Sequence, residues 1–269
     1  MADIINSVYK MRYMDEISLS QSPIHKLHPI TKILVTLVYL IVVVSLGKYD
    51  FLSLLPLVLY PIVIFSLSDT PYGAILKRAL YVSPLIIGVG IFNPIFDTQL
   101  VTLFDNIKLS LGWISFFVLV LKSFLCVMGA LLLLATTGIE KVASGLWQLK
   151  VPKIFVMQLT LTYRYIMVLA EEAARLFTAY SLRAPGHKGV HLKVYGSLAG
   201  QLLLRTFSKA ERVYIAMKLR GFDGEYPNTK NLSLKINDLI YIFLWCSFLI
   251  FARYVNLPIF IGNIFTSIF

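Results

Sequence analysis

Charge-free apolar runs are the strongest constraint on this chain. Ile33–Gly47, Phe51–Ser68 and Ala79–Phe96 carry no Asp, Glu, Lys or Arg, and Leu109–Ile139 and Leu239–Phe269 are each divided by one cation, Lys122 and Arg253. A charge at the bilayer centre costs at least ~2.5–3.5 kcal/mol on insertion scales, and about 20 apolar residues cross the hydrocarbon. Such runs therefore read as membrane spans. Composition agrees: 58% of the residues are apolar and 14% charged, against about 45–50% and 25% in soluble chains. The expected fold is an all-α polytopic membrane protein with about five transmembrane helices and one non-membrane region. Spans are expected at about 30–47, 51–68, 79–97 and 115–139, after an N-terminal interfacial or cytoplasmic segment, 1–29. A final transmembrane segment is expected within 236–269, at about Leu239–Ala252 and extending to Asn256. Residues 1–29 mix Asp3, Asp15 and Glu16 with Lys10, Arg12 and Lys26, which is not the pattern of a cleavable signal.

The charge distribution sets one region apart. The chain has 25 Lys and Arg against 14 Asp and Glu, a formal +11; fifteen of those basic residues and only six of the acids lie between Glu140 and Lys235. Nine of the eleven net charges thus belong to this block. With four spans before it, the block and the N-terminus fall on the same side, and the connection 69–78 with Lys77 and Arg78 makes that side cytoplasmic by the positive-inside rule. The excess is localised, which argues against a general nucleic-acid surface.

Inside the block the apolar residues recur every three or four positions. From Pro152, Phe155, Val156, Leu159, Tyr163, Ile166, Leu169, Ala173, Leu176, Phe177 and Tyr180 form one stripe of a helix expected to end at Arg183, before Pro185 and Gly186. A second stripe runs from Leu192 to Met217 and stops at Gly221, and a shorter one occupies 139–149. The two long helices end alike, in Ala179-Tyr180-Ser181-Leu182-Arg183-Ala184 and Ala216-Met217-Lys218-Leu219-Arg220-Gly221. Each places a guanidinium on the last turn before a breaker. As mere C-terminal cations they contribute some tenths of a kcal/mol each. Their repetition fits a second role, because two similar bidentate donors suit two equivalent acidic grooves on a symmetric partner.

At these residues the sequence resembles the transmembrane T component of energy-coupling-factor (ECF) transporters, the EcfT/CbiQ family, and most of all the cobalt-type CbiQ branch. The likeness runs through His28-Pro29-x-x-Lys32 ahead of the first span, the Pro- and Gly-marked third span, the basic block and both arginine motifs. It departs from the common Ala-Arg-Gly motif in carrying Leu182 and Leu219 before the arginines and Ala184 after the first. The resemblance implies a non-catalytic subunit of the bacterial cell membrane in which 140–235 are cytoplasmic coupling helices. Arg183 and Arg220, with Leu182, Ala184, Leu219 and Gly221 beside them, would contact a dimer of ABC-type ATPases, CbiO-like or EcfA-like. The apolar stripes would contact a substrate-binding membrane subunit, either CbiM-like for cobalt uptake or a vitamin S component, and membrane lipid.

The remaining residues support no chemistry of their own. There is no G-x-x-x-x-G-K-[ST] loop, so ATP would be hydrolysed by another chain, and no cofactor is expected. His25-x-x-His28 lacks nearby Cys and reads as an interfacial pair, not as a metal site. Cys126 and Cys246 lie in apolar runs, where a free thiol acts as a small hydrophobe. A membrane enzyme built on Asp223, Glu225 and the histidines would need a nucleophile and base spacing that is not present. A lipid-binding scaffold, at ~1 kcal/mol per basic residue, leaves the matched arginine ends unexplained.

Overall fold

The computed structural model describes residues 22–68, 70–97, 100–104, 107–183, 192–222 and 235–254. They fall into two compact units, one from the described parts of 17–138 and 232–269, the other from the described part of 139–231.

The first unit is a helical bundle. Helix α1 is Pro29–Ser45, with Pro29 at its first position and His28 as N-cap; a proline there loses no bond the helix would otherwise make. The second span is built in three pieces, α2 (Phe51–Leu54), a 3-10 turn (Leu55–Val58) and α3 (Leu59–Ser68). Pro56 and Pro61 supply no amide donors, and the tightened turn around Pro56 is the local adjustment that lets a membrane helix carry them. Helix α4 (Tyr72–Gly90) and the short α5 (Phe92–Phe96) follow, then α6 (Leu111–Thr137), and α10 (Ile236–Tyr254) closes the unit.

Four helical stretches here are long and apolar enough to cross a membrane, 51–68, 72–95, 111–137 and 236–254, and α1 adds a shorter apolar helix of 17 residues. In lipid, apolar burial does not drive helices together, so close packing and interhelical hydrogen bonds must. Both are present. Tyr39 of α1 stacks on Tyr60 of α3 at 4.3 Å between ring centroids, Trp245 of α10 meets Tyr60 edge-on at 4.8 Å, and Thr36 Oγ1 lies 3.0 Å from the Tyr60 hydroxyl. Gly112 allows α6 to pass against the turn before it: a Cβ would fall 2.6 Å from Pro94 Cα and 2.7 Å from the Asp97 carbonyl oxygen.

Three features differ from expectation. The third helix starts at Tyr72, taking in Lys77 and Arg78, whose long stems allow the charged heads to stay at the interface. Lys122 and Arg253 do not divide their runs, since α6 and α10 pass straight through them. The Lys122 ammonium donates to the carbonyls of Leu46 (2.5 Å) and Gly47 (3.1 Å), and the Arg253 guanidinium donates to the Ser45 carbonyl and hydroxyl, both at 3.1 Å. Both cations therefore satisfy the orphan carbonyls at the negative C-terminal end of α1. The third difference is a short antiparallel hairpin, β1 (Leu100–Phe104) and β2 (Ile107–Ser110), with Leu100 paired to Ser110 and Thr102 to Lys108. It lies between α5 and α6, and the other described elements are all helices.

The second unit holds α7 (Ile139–Gln148), α8 (Lys153–Arg183) and α9 (Leu192–Leu219). Helix α8 is also long and apolar enough to cross a membrane, although it is the least apolar of the five such stretches, with a mean hydropathy of 1.2 against 2.5 for α6.

Candidate coupling surface

Helices α7, α8 and α9 are tied by polar links on their exposed faces. Glu140 of α7 pairs with Arg164 of α8 at 3.5 Å. Glu172 of α8 is the second link: it takes Arg175 one turn on at 3.8 Å and accepts a hydrogen bond from Arg205 of α9. The Arg205 guanidinium holds the Glu172 carboxyl below the usual carboxylate range. Sequence spacing anticipates only the Glu172–Arg175 pair, because a partner 33 residues away leaves no local signal. Phe177 and Tyr195 add an edge-on ring contact at 6.1 Å.

Among its described residues the unit has little apolar interior, Ala143 of α7 and Leu176 of α8 being its buried apolar side chains. Among the described residues of α8 only Leu176 is buried, and in α9 none is. Ile154, Phe155, Leu159 and Ile166 on α8, and Leu203, Leu204, Phe207, Tyr214 and Ile215 on α9, are all exposed. An apolar face of this extent, rimmed by charge, marks a surface for a protein partner or a membrane.

The arginine ends are exposed as well. Arg183 is the last residue of α8, and Leu182 beside it is 77% exposed. Ala184 lies outside the described residues. At the end of α9 the geometry is fully defined. Gly221 sits at φ +81°, the Phe222 N–H donates to the Met217 carbonyl and the Gly221 N–H to the Lys218 carbonyl, each at 3.0 Å. That is a Schellman cap with Arg220 as the C-cap residue and Gly221 in the left-handed position. The small residue after the second arginine therefore has a backbone reason of its own. Leu219 is 84% exposed, and neither Arg183 nor Arg220 makes an ion pair among the described residues. The other four residues of the expected site, Leu182, Arg183, Leu219 and Arg220, are thus exposed at two helix ends.

Residues 20–232 match the family of cobalt transport proteins CbiQ. The chain belongs to this family. As a CbiQ-family chain with membrane-spanning helices it is a multi-pass protein of the cell membrane. An uncharacterized protein of Methanocaldococcus jannaschii is 27% identical over 186 residues, 65% of this chain and 64% of that protein. The nickel permease LarQ of Lactiplantibacillus plantarum is 30% identical over 91 residues, 34% of this chain and 33% of LarQ. The chain thus spans less than two-thirds of the length of each of these relatives. The energy-coupling factor transporter transmembrane protein EcfT of Bacillus subtilis is 24% identical over 231 residues, 78% of this chain and 84% of EcfT.

No group of three or more His, Cys, Asp or Glu that could hold a metal ion occurs among the described residues. His25 and His28 are both buried, and His25 Nδ1 lies 2.7 Å from the Ser22 hydroxyl. In the bundle a cavity of about 800 Å³ is lined by Lys48, Tyr49, Asn93, Asp97, Lys122 and Cys126 among others. Its charges are engaged locally: Lys48 pairs with Asp97 at 3.5 Å, and the Tyr49 hydroxyl donates to the same carboxylate at 2.6 Å.

Proposed function

We propose that this chain is the transmembrane coupling (T) subunit of an ECF-type ABC importer. It would carry the motion of partner ATPases to a substrate-binding membrane subunit. The observation that carries this reading is the second unit itself: two long helices with exposed apolar faces, each ending in an exposed arginine that makes no ion pair among the described residues. Arg183 and Arg220 dock in grooves of two ABC-type ATPase subunits, flanked by Leu182, Ala184, Leu219 and Gly221. When the ATPase dimer closes on ATP, the two helix ends shift relative to each other, and α8 and α9 move as packed rods. Their apolar faces bear on the substrate-binding subunit and change its orientation in the membrane.

This reading places α8 outside the hydrocarbon, within a cytoplasmic block at 140–235. A physical argument supports that placement over a transmembrane one. About 20 residues are needed to span, and every 20-residue stretch of Lys153–Arg183 contains Arg164, Glu171 and Glu172. Three ionisable groups in one span carry a prohibitive insertion cost at ~2.5–3.5 kcal/mol each.

The cargo we propose is a divalent transition-metal cation, cobalt in the first instance. The description of the matched family and the name of the nickel permease LarQ support that class. A partner subunit would hold the ion. The chain has no nucleotide-binding loop, which supports a non-catalytic role. The test is to co-express the chain with its ATPase and substrate-binding partners and compare wild type with Arg183→Ala, Arg220→Ala and the double variant. Loss of ATPase co-purification or of metal uptake in the double variant is expected. Unchanged assembly together with unchanged uptake refutes the coupling role.

A further inference from the structure

The described part of the second unit lies in the chain between α6 and α10, so among the described residues the backbone enters and leaves it at two places. At the first, α6 ends at Thr137 and Gly138 turns away at φ +75°. The Thr136 carbonyl, one of the orphan acceptors of that helix end, receives the Lys32 ammonium at 2.8 Å. Lys32 is 3% exposed. A cation at the negative end of a helix in a buried site is a strong contact.

At the second junction the chain returns through Lys235 into α10. Asp238, in the first turn and 3% exposed, accepts the Lys235 N–H on Oδ2 at 2.8 Å. This is the reaching-back half of a capping box, in which a third-position acid satisfies the N-cap amide. Its other oxygen, Oδ1, accepts the N–H of His28 at 2.8 Å. His28 is the N-cap of α1, and its ring Nδ1 accepts the Ile30 N–H at 3.2 Å. One carboxylate therefore ties the first turns of two helices whose residues are 210 positions apart.

Both junctions thus end on the same five residues, His28–Lys32. The spacing is what α1 requires for this: His28 and Lys32 are one turn apart, with the Lys32 N–H bonded to the His28 carbonyl at 3.4 Å. Pro29 fixes the backbone between them without needing a donor.

We infer that Lys32 and Asp238 are positioning residues for energy coupling: they fasten these two chain connections of the coupling unit to the first turn of α1, so that displacement of that unit is delivered to the bundle and not absorbed at these junctions. The inference rests on the proposed T-subunit role. Without the clamp, Gly138 and the start of α10 at Lys235 are no longer held to α1 and can yield when the coupling unit moves. ATP hydrolysis would then continue while the bundle and the substrate-binding subunit cease to follow it. The clamp acts on the efficiency of transmission and touches neither nucleotide nor cargo.

The experiment uses the complete complex, the chain with its ATPase and substrate-binding partners, in proteoliposomes. It reads the number of cobalt(II) or nickel(II) ions imported per ATP hydrolysed, using whichever ion the wild type takes up. Lys32→Met and Asp238→Ala should assemble and hydrolyse ATP within twofold of wild type while ions per ATP fall tenfold or more. Lys26→Ala, an exposed change one turn away, should leave the ratio unchanged. If either clamp variant fails to insert, Lys32→Gln and Asp238→Asn, which keep size and part of the hydrogen bonding, are read by the same ratio. A ratio within twofold of wild type overturns the inference. So does a parallel fall of assembly, hydrolysis and uptake that leaves the ratio intact, because that is the signature of a purely structural contact. A wild-type chain that assembles with no ATPase refutes the T-subunit reading itself, and with it the clamp; a complex that carries ATPases but imports neither ion refutes the metal cargo, and the same ratio is then read with a vitamin as substrate.

Discussion

Replacing a glycine by alanine within α9 or in the cap that follows it should change sign with position, and the structure sets the size of each effect. Gly221 is at φ +81°, and a Cβ built on it meets nothing within 4 Å. Crowding therefore plays no part, and the whole penalty of Gly221→Ala is the left-handed backbone, about 1–2 kcal/mol for an L side chain. Gly196 and Gly200 lie inside α9, also with nothing within 4 Å and with no positive φ. Alanine there removes unfolded-chain freedom and should stabilise the helix by roughly 0.5–1 kcal/mol each. One kcal/mol is about a fivefold change in a local opening equilibrium. Hydrogen–deuterium exchange of the solubilised chain reads this directly on peptides covering 212–222. Gly221→Ala should speed exchange of the last turn about fivefold or more, Gly221→Asn by less because Asn tolerates the left-handed region, and Gly200→Ala should slow exchange. If Gly221→Ala leaves the last turn as protected as wild type, the Schellman cap does not set the order of the Arg220 end. The structural reason given for Gly221 would then be wrong.

Other outcomes follow from single contacts. Gly112→Ala pushes a methyl into the Pro94 backbone and the Asp97 carbonyl and should destabilise the bundle by about 1–3 kcal/mol, while Gly88→Ala, with open space, should not; thermal unfolding in detergent separates the two. Lys122→Met keeps the stem but removes the donor to the Leu46 and Gly47 carbonyls, and should lower the unfolding temperature more than Lys77→Met. Arg205→Gln should destabilise the α8–α9 pair at neutral pH. Glu172 has a lowered folded-state pKa because of Arg205, so its contribution is present above the ordinary glutamate range and lost as pH falls through the folded value. The difference between Arg205→Gln and wild type should therefore shrink toward zero on acidification, as followed by helix content on heating.

Much of the architecture could be read from spacing and breakers. The limits of α8 follow from Pro152 and Pro185, and those of α9 from a stripe that recurs every three or four residues and stops at Gly221. The two arginine ends were visible for the same reason, since a breaker after a long amphipathic run marks a terminus. Lys122 and Arg253 looked like interruptions because hydropathy along a chain counts a cation without seeing its acceptors. The carbonyls that receive them belong to another helix, 76 and 208 residues away. The hairpin at 100–110 is too short to stand out from the apolar runs around it. The clamp was half visible: His28-Pro29-x-x-Lys32 stood out as a motif, but Thr136 and Asp238 carry no local mark of their part in it, since a threonine carbonyl and a first-turn acid are ordinary at helix ends.

Native mass spectrometry of the chain purified with its partners from membranes tests the coupling account most directly. The account expects one copy of the chain with two ABC-type ATPase subunits and one substrate-binding membrane subunit, and expects the ATPases to be lost when Arg183 and Arg220 are both replaced by alanine. A wild-type chain that carries no ATPase, or a double variant that keeps two, would contradict it.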